Sequence, residues 1–374
     1  MSKNITVLGA GLVGGVMARE LSKTYRVTSI DANASNLEPL KKSGIKTIQA
    51  DLSDPESIHH CTSDADLVVG ALPGFLGFKA LETIIKSGKN VVDISFFPEN
   101  SLLLDELAKR HGITAVVDCG VAPGISNLVH GYHFKRMEVD RFFCCVGGLP
   151  LKREWPFEYK AVFSPIDVIE EYTRPARVVE NSKDVVKDPL SEFFPISFPQ
   201  TGVLESFDSD GLRSLIHTMR VPNMVERTLR FPGTMKYLKA MREIGLFSYD
   251  EVEVKGKKIR PIDLTAKLLF PHWKMKEGEG DFTIMRIEIE GKENGKPIKY
   301  TYDLYDEYDA VEGVLSMART TGYTCTGAVE LVLSGKFSKK GVFPPEFVGE
   351  DEACTNFIFD YLKKRNVIYR KTVG

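Results

Sequence analysis

The chain has 374 residues, more than one ordinary core holds, with 43% hydrophobic and 27% charged residues, the balance of a globular protein of two domains. Its 49 basic and 51 acidic side chains leave a formal charge of −2, which argues against nucleic acid or an anionic membrane surface as the main partner. No apolar run of 18 residues occurs and "MSKNITVLG" enters a strand at once, so neither a membrane span nor a signal peptide is expected, and a cytoplasmic location is.

The first third alternates short apolar runs with helical patterns. Strands are expected at 5–9, 26–31, 47–51, 67–72, 90–95 and 114–120. The first, fourth and sixth are nearly continuous aliphatic runs, as parallel strands buried on both faces require. Between them, "GGVMARELSKTY" and "ENSLLLDELAKRHG" place apolar residues three and four apart, the spacing of amphipathic helices. The fold class this predicts is α/β, a Rossmann doubly wound parallel sheet over about residues 1–125.

At the end of the first strand stands "GAGLVG" (9–14), with Asp31 about 20 residues on at the end of the second. Gly9 permits the tight turn and Gly11 lets a pyrophosphate approach a helix N-terminus. Gly14 lets that helix pack closely, and Leu12 and Val13 lie in its first turn. Asp31 would accept hydrogen bonds from an adenosine ribose, and "DAN" supplies no arginine for a 2′-phosphate, so NAD is expected over NADP. Asp51 and Leu52 could flank the adenine, with a helix cap on "DLSDPESI" as the alternative for Asp51. Ala71, Leu72 and Pro73 end the fourth strand at the mouth of the crevice, where small residues would let the cofactor pass or simply make a turn.

Pro123 in "VAPGISN" marks another helix N-terminus near the carboxyl edge of the sheet. Beyond it the pattern alternates: "VDRFFCCVGGLP", "YDEVEVKGKKIRPIDL" and "DFTIMRIEIEGKENGKPIKYTYDLYDEYD", the last with a turn at "GKENGKP". Residues 126–315 are therefore expected to form a second α+β domain on a largely antiparallel sheet, with "VVENSKDVVKDPLSEF" a polar surface excursion. The last 60 residues hold a helix through "SMARTTGYTCTGAVELVLSGK" and another through "EACTNFIFDYLKKR", and residues 316–374 could return to the first domain. The six cysteines show no C-x-x-C and no zinc-like spacing, so no metal site is expected; buried free thiols are the simplest reading, with a catalytic thiol open at Cys119.

Several blocks together resemble the saccharopine dehydrogenase-like family of amino-acid and amine dehydrogenases, and its lysine 6-dehydrogenase branch most. They are "GAGLVG", "VVDISFF" (91–97), "DCGVAPGISNLVHG" (118–131), "VGGLP" (146–150), "FEYKAVFSPIDVIEEYTRPARVV" (157–179), "TLRFPG" (228–233) and "DAVEGVLSMARTTG" (309–322). Saccharopine-forming members carry Asp before the Pro-Gly and usually a Tyr after the Ser that ends the fifth strand; here those positions are Ala122 and Phe96. The resemblance implies NAD-dependent oxidation of the lysine 6-amino group to allysine, which cyclises to a piperideine carboxylate, with release of ammonia. Saccharopine or a related secondary amine is the alternative substrate, and a non-catalytic NAD-binding sensor a third reading.

Such chemistry needs a base near the nicotinamide. Asp93 and Asp118 end sheet strands and either serve as that base or cap a backbone turn. His130 and His133 share a helix face; His130 is a candidate for proton transfer, or a packing residue. An α-carboxylate calls for an arginine, and Arg230 and Arg319 stand in the two most distinctive blocks, with Thr228, Thr320 and Thr321 beside them. Glu158, Tyr159 and Lys160 could line the cleft, Tyr159 as a substrate contact. A homodimer or higher homo-oligomer is the expected assembly, with "FFCCVGG" and the exposed sheet as candidate interface.

Overall fold

The computed structural model describes residues 2–276 and 278–374. Six parallel strands, β1 (Asn4–Leu8), β2 (Arg26–Asp31), β3 (Lys46–Gln49), β4 (Leu67–Gly70), β5 (Asn90–Asp93) and β6 (Thr114–Val116), lie in the order β3-β2-β1-β4-β5-β6. Helices α1 (Leu12–Ser22), α2 (Ala34–Lys42), α3 (Pro55–Thr62), α4 (Gly74–Lys86) and α5 (Asp105–Arg110) make the crossovers. The order reverses between β1 and β4, and the crevice that opens there at the carboxyl ends is where ligands of such sheets sit. The later strands stop earlier than their apolar runs suggest, for local reasons. β4 gives way to the Pro73 turn. After β5, the Asp93 carboxylate accepts the Ser95 N–H at 2.8 Å and bends the chain; after β6, Asp118 takes φ +50°, a left-handed conformation that ends a strand.

The second layer comprises α6 (Ile125–Phe134), β7 (Glu138–Pro150), α7 (Pro165–Thr173), β8 (Ala176–Glu180), β9 (Lys183–Lys187), β10 (Phe194–Phe198), β11 (Gly202–Asp208), α8 (Leu215–Thr218), β12 (Asn223–Arg230), α9 (Thr234–Glu243), β13 (Val252–Val254), β14 (Lys257–Ile259), α10 (Pro261–Trp273), β15 (Asp281–Glu293) and β16 (Lys296–Glu307). The main sheet is antiparallel except where β12 runs parallel to β7. Two expectations need correction. The polar stretch after residue 175 is a hairpin, β8 with β9, turned by Asn181 and Ser182, both at positive φ. It reads as polar because β9 is largely exposed. The alternating run at 252–259 forms a separate two-stranded hairpin, β13 with β14, outside the main sheet.

The remaining segment serves both layers. α11 (Ser316–Leu333) packs on α1, closely enough that a Cβ on Gly322 would sit 3.3 Å from Met17. β17 (Gly341–Phe343) adds to the first sheet beside β6. After α12 (Pro345–Gly349) and α13 (Glu352–Lys363), β18 (Tyr369–Val373) pairs with β16 in the second sheet. The Arg365 guanidinium donates to the buried Glu20 carboxylate of α1 at 2.7 Å, a further tie between the chain's ends. One apolar core runs through both layers, from Val7 and Met17 through Ile125 and Phe142 to Met285 and Met317. Phe142, Phe143, Cys144 and Cys145 are buried within the chain itself, which corrects "FFCCVGG" as an exposed interface: these side chains already have intramolecular partners. Among the described residues, no helix is long and apolar enough to cross a membrane.

Candidate active site

A cleft of about 800 Å³ follows the carboxyl edge of the first sheet and continues between the layers. Gly9, Gly11, Leu12, Val13, Gly14, Asp31, Asp51, Leu52, Ala71, Leu72 and Pro73 all line it. Its glycine turn is a cradle. Gly9 has φ +98°, and a Cβ there would strike the Ala71 carbonyl oxygen; a Cβ on Gly14 would strike the Gly9 carbonyl oxygen. Nothing lies within 4 Å of a Cβ built on Gly11, so that backbone faces open space at the start of α1, where N–H groups and the helix dipole favour an anion. Asp31 is held ready: its Oδ2 accepts the Ala10 N–H at 2.7 Å and the Asn36 amide at 3.2 Å, and its Oδ1 accepts the Asn33 N–H. These residues fit a dinucleotide. Asp51 also accepts the Ser53 N–H and hydroxyl, while the cap of α3 is Asp54.

The far end of the cleft is rich in charge. Asp118 reaches it with its carboxylate bonded to Arg213, at 2.8 Å from Nη2 and 3.1 Å from Nε; Arg213 also donates to the Phe97 carbonyl. Thr228 and Arg230 line the wall from β12. Each nitrogen of Arg230 has a partner: Nε donates to the Tyr172 hydroxyl at 2.7 Å, Nη1 to the Leu229 carbonyl and Nη2 to Glu171 at 2.6 Å. Phe96 lies under two guanidiniums, Arg213 at 4.8 Å and Arg174 at 5.0 Å. Ala122 also borders the cleft.

Other expected site residues lie elsewhere. Asp93 is buried beneath the cleft, its carboxyl accepting the Ser95 N–H and hydroxyl at 2.8 and 3.2 Å, and burial pushes it up to about 8; it is the turn-capping acid of the two readings. His130 sits in the core, stacked on Phe142 at 4.6 Å with no polar partner for either nitrogen among the described residues, and burial drives it down to about 3. His133 bonds the Tyr302 hydroxyl at 2.9 Å. Both imidazoles are there because their helix face packs on the second sheet, away from the cleft. Arg319 donates to Asp309 and to the Arg365 carbonyl, each at 2.9 Å, and Thr320 to the Ser316 carbonyl, so that part of "MARTTG" anchors α11; Thr321 alone of these reaches the cleft. Tyr159 is buried between Trp273 and Arg230. Glu158 pairs with Arg153, and the buried Lys160 with Glu279; neither is among the residues lining the cleft. Cys119 is buried, its thiol pushed up to about 12 by desolvation, which leaves no thiolate for nucleophilic work.

Several charged cleft residues escaped the sequence reading, Glu226 and Arg174 foremost. Glu226 shares the β12 face with Thr228 and Arg230, and strand parity alone would have added it to that pair. Arg174, just after α7, lines the cleft with a buried Nη1 that has no partner among the described residues; its Nη2 is 3.5 Å from Glu170. It lay within the quoted block at 157–179, ahead of the Pro175 that helps stop the helix.

Comparison with known proteins agrees with this architecture. The sequence profile of the Saccharopine dehydrogenase C-terminal domain matches residues 120–368, and that of the Saccharopine dehydrogenase NADP binding domain residues 5–116. The L-glutamate-forming, NADP+ saccharopine dehydrogenase of Saccharomyces cerevisiae is 24% identical over 69% of this chain, and the match spans 62% of that enzyme's length. The carboxyaminopropylagmatine dehydrogenase of Synechocystis is 22% identical over 93% of each chain. The solved apo saccharopine dehydrogenase from Saccharomyces cerevisiae superposes with a TM-score of 0.80 at 20% identity over the whole of both chains. A homospermidine synthase from Legionella pneumophila, solved with NAD, gives 0.72 at 11% identity, over all of this chain and 92% of that one. With an NAD(P)-binding first domain and both family profiles matched in order along one cleft, the chain belongs to the saccharopine dehydrogenase family.

Proposed function

We propose that this protein is an NAD-dependent dehydrogenase that oxidises the 6-amino group of L-lysine, releasing ammonia and giving allysine, which cyclises to a piperideine carboxylate. The observation that carries this reading is the charge at the substrate end of the cleft. Asp118, Asp167, Glu170, Glu171, Asp210 and Glu226 line it against Arg174 and Arg230, with Arg213 paired to Asp118, Arg177 to Asp210 and Arg230 to Glu171, which leaves a modest acidic excess. A wall of that sign favours a substrate with net positive charge, as lysine has, over saccharopine, whose three carboxylates make it net negative. Phe96 and Ala122 remove a phenol and a carboxylate that saccharopine-forming relatives carry, in the same direction.

NAD when bound supplies the hydride acceptor. The chain's own residues do the rest: the Gly11 turn receives the pyrophosphate, Asp31 the ribose hydroxyls, and the Arg174 Nη1 donor the substrate α-carboxylate. Asp118, fixed by Arg213, presents a carboxylate to the same space. A 2′-phosphate would meet the charge of Asp31; the NADP reading is supported by Arg19 of α1 on the cleft wall, by the matched NADP binding domain profile and by the NADP+ yeast relative. Saccharopine oxidation is supported by the names of the relatives. A sensor without turnover is disfavoured by Asp118 and Arg230 both reaching the cleft.

Incubation with NAD and L-lysine is expected to yield NADH and a cyclic imine trapped by an aminobenzaldehyde reagent. No NADH with lysine but turnover with saccharopine would invert the ranking. We also propose a homodimer, which sedimentation velocity tests.

A further inference from the structure

The cleft contains a carboxyl group that no guanidinium or ammonium among the described residues pairs with. Glu226 is 2% exposed, in the middle of β12, and its Oε2 has no hydrogen-bond partner among the described residues. An unpaired buried carboxyl oxygen is costly unless a ligand completes it. Space is reserved for the group by Gly211, where a Cβ would strike Glu226 Oε1. The groups facing it are mostly acidic: Asp118 beyond β6, Asp210 beyond β11 and Glu171 on α7, with the Cys144 thiol in β7 and the Ser126 hydroxyl in α6. The guanidiniums nearby are committed elsewhere, Arg230 to Glu171, Arg213 to Asp118 and Arg177 to Asp210. Burial first, and then these like charges, push Glu226 up to about 8, while Ser126 opposes.

We propose that Glu226 is the receptor and proton acceptor for the reacting amine: a primary ammonium docks on Oε2 and hands its proton to that carboxylate. The inference rests on the amine-oxidising reading above. One N–H bond breaks and one O–H bond forms, R–CH2–NH3+ and carboxylate becoming R–CH2–NH2 and carboxylic acid. The free amine so produced has the lone pair that loss of hydride from the adjacent carbon requires. A proton acceptor works best when its affinity lies near the operating pH, which an ordinary carboxylate does not reach.

The test uses the full chain with NAD and whichever amine of a panel (lysine, ornithine, cadaverine, saccharopine) the unmodified protein oxidises. For the unmodified protein, kcat/KM is expected to rise with pH through an inflection near 8. Glu226→Gln is expected to lower kcat by about 10²–10⁴ and lose that inflection, and Glu226→Asp to keep it with a smaller loss. Gly211→Ala is expected to resemble Glu226→Gln by displacing the carboxyl, with NADH binding retained in all three. A readout independent of turnover is amine binding to the NADH complex at pH 7, by calorimetry in two buffers of different ionisation heat. The unmodified protein should release close to one proton, because the ammonium forces the protonated carboxyl to ionise, and Glu226→Gln none. Unchanged kcat and inflection in Glu226→Gln, or equal proton release, would overturn the proposal and leave the lysine reading standing. Oxidation of saccharopine but not lysine would overturn both the substrate and the primary ammonium as the group docked on Glu226, because the reacting nitrogen of saccharopine is a secondary ammonium. An NADH-binding protein that oxidises no amine would overturn both.

Discussion

Replacement of Arg174 by Gln separates recognition of the amino-acid end of the substrate from the chemistry at the other end. The guanidinium lies over Phe96 with one buried, unpartnered Nη1 and a long 3.5 Å contact from Nη2 to Glu170. It therefore keeps a nitrogen with no partner among the described residues, whereas each nitrogen of Arg230 has one. A charge-assisted hydrogen bond contributes about 1.5–3 kcal/mol, and each 1.4 kcal/mol or so is tenfold, so Arg174→Gln should lower kcat/KM for lysine roughly ten- to hundredfold. The carboxylate is far along the chain from the reacting carbon and is held alike before and during reaction, so the loss should fall on KM with kcat little changed. Arg174→Lys should lie between, keeping the charge but losing the planar fork. Cadaverine, which is lysine without its carboxylate, provides the control: its steady-state constants should be the same with and without the substitution. An unaltered KM for lysine, or an equal penalty on cadaverine, would refute this assignment.

Asp31→Ala should raise KM for NAD by about ten- to hundredfold, from one or two lost hydrogen bonds to a carboxylate, and shift preference toward NADP; an unmoved NAD/NADP ratio would remove the ribose assignment. Gly14→Ala places a Cβ against the Gly9 carbonyl, backbone on backbone, at a cost of about 1–3 kcal/mol, so thermal stability and NADH fluorescence titration should both weaken. His130 has a folded value near 3 against an ordinary 6.5, so between these the unfolded chain binds the extra proton and stability falls as pH drops, by about 1 kcal/mol per unit. His130→Phe keeps the stack on Phe142 and removes that term. Its denaturant midpoint should therefore fall less than the parent's between pH 6.5 and 5, with turnover unaffected; an identical acid response would show that the imidazole is not the cause.

The coenzyme end was legible in the chain because it is local. Glycines at 9, 11 and 14, an apolar strand before them and an acid about 20 residues later are demands made by one β–turn–α–β unit on its own backbone, and residues close in sequence meet them. The turn at Asn294 and Gly295 was readable for the same reason. The substrate end is assembled from the segment after β6, from α7, from the loop after β11 and from β12, which are far apart in the chain. Composition marks Arg230, Arg319, His130 and Glu226 alike as polar residues in patterned segments. Only packing decides that Arg319 clamps α11, that Arg230 is committed to Glu171, that His130 enters a core without a partner among the described residues, and that Arg174 and Glu226, which line the cleft, keep a donor and an acceptor likewise without one.

The path of the last segment divides in the same way. Its helices were visible from their apolar spacing, but β17 is three residues long and β18 is mostly exposed, so neither carries a pattern that announces a sheet. Their places come from unpaired edges at β6 and β16, which exist only once both sheets have formed. What the amino-acid order determined by itself is the kind of fold and the grip on a dinucleotide, because backbone geometry writes those requirements into neighbouring residues. Which charged side chains face the substrate was decided by tertiary structure alone, because a side chain's freedom to bind depends on whether the rest of the molecule has already paired it.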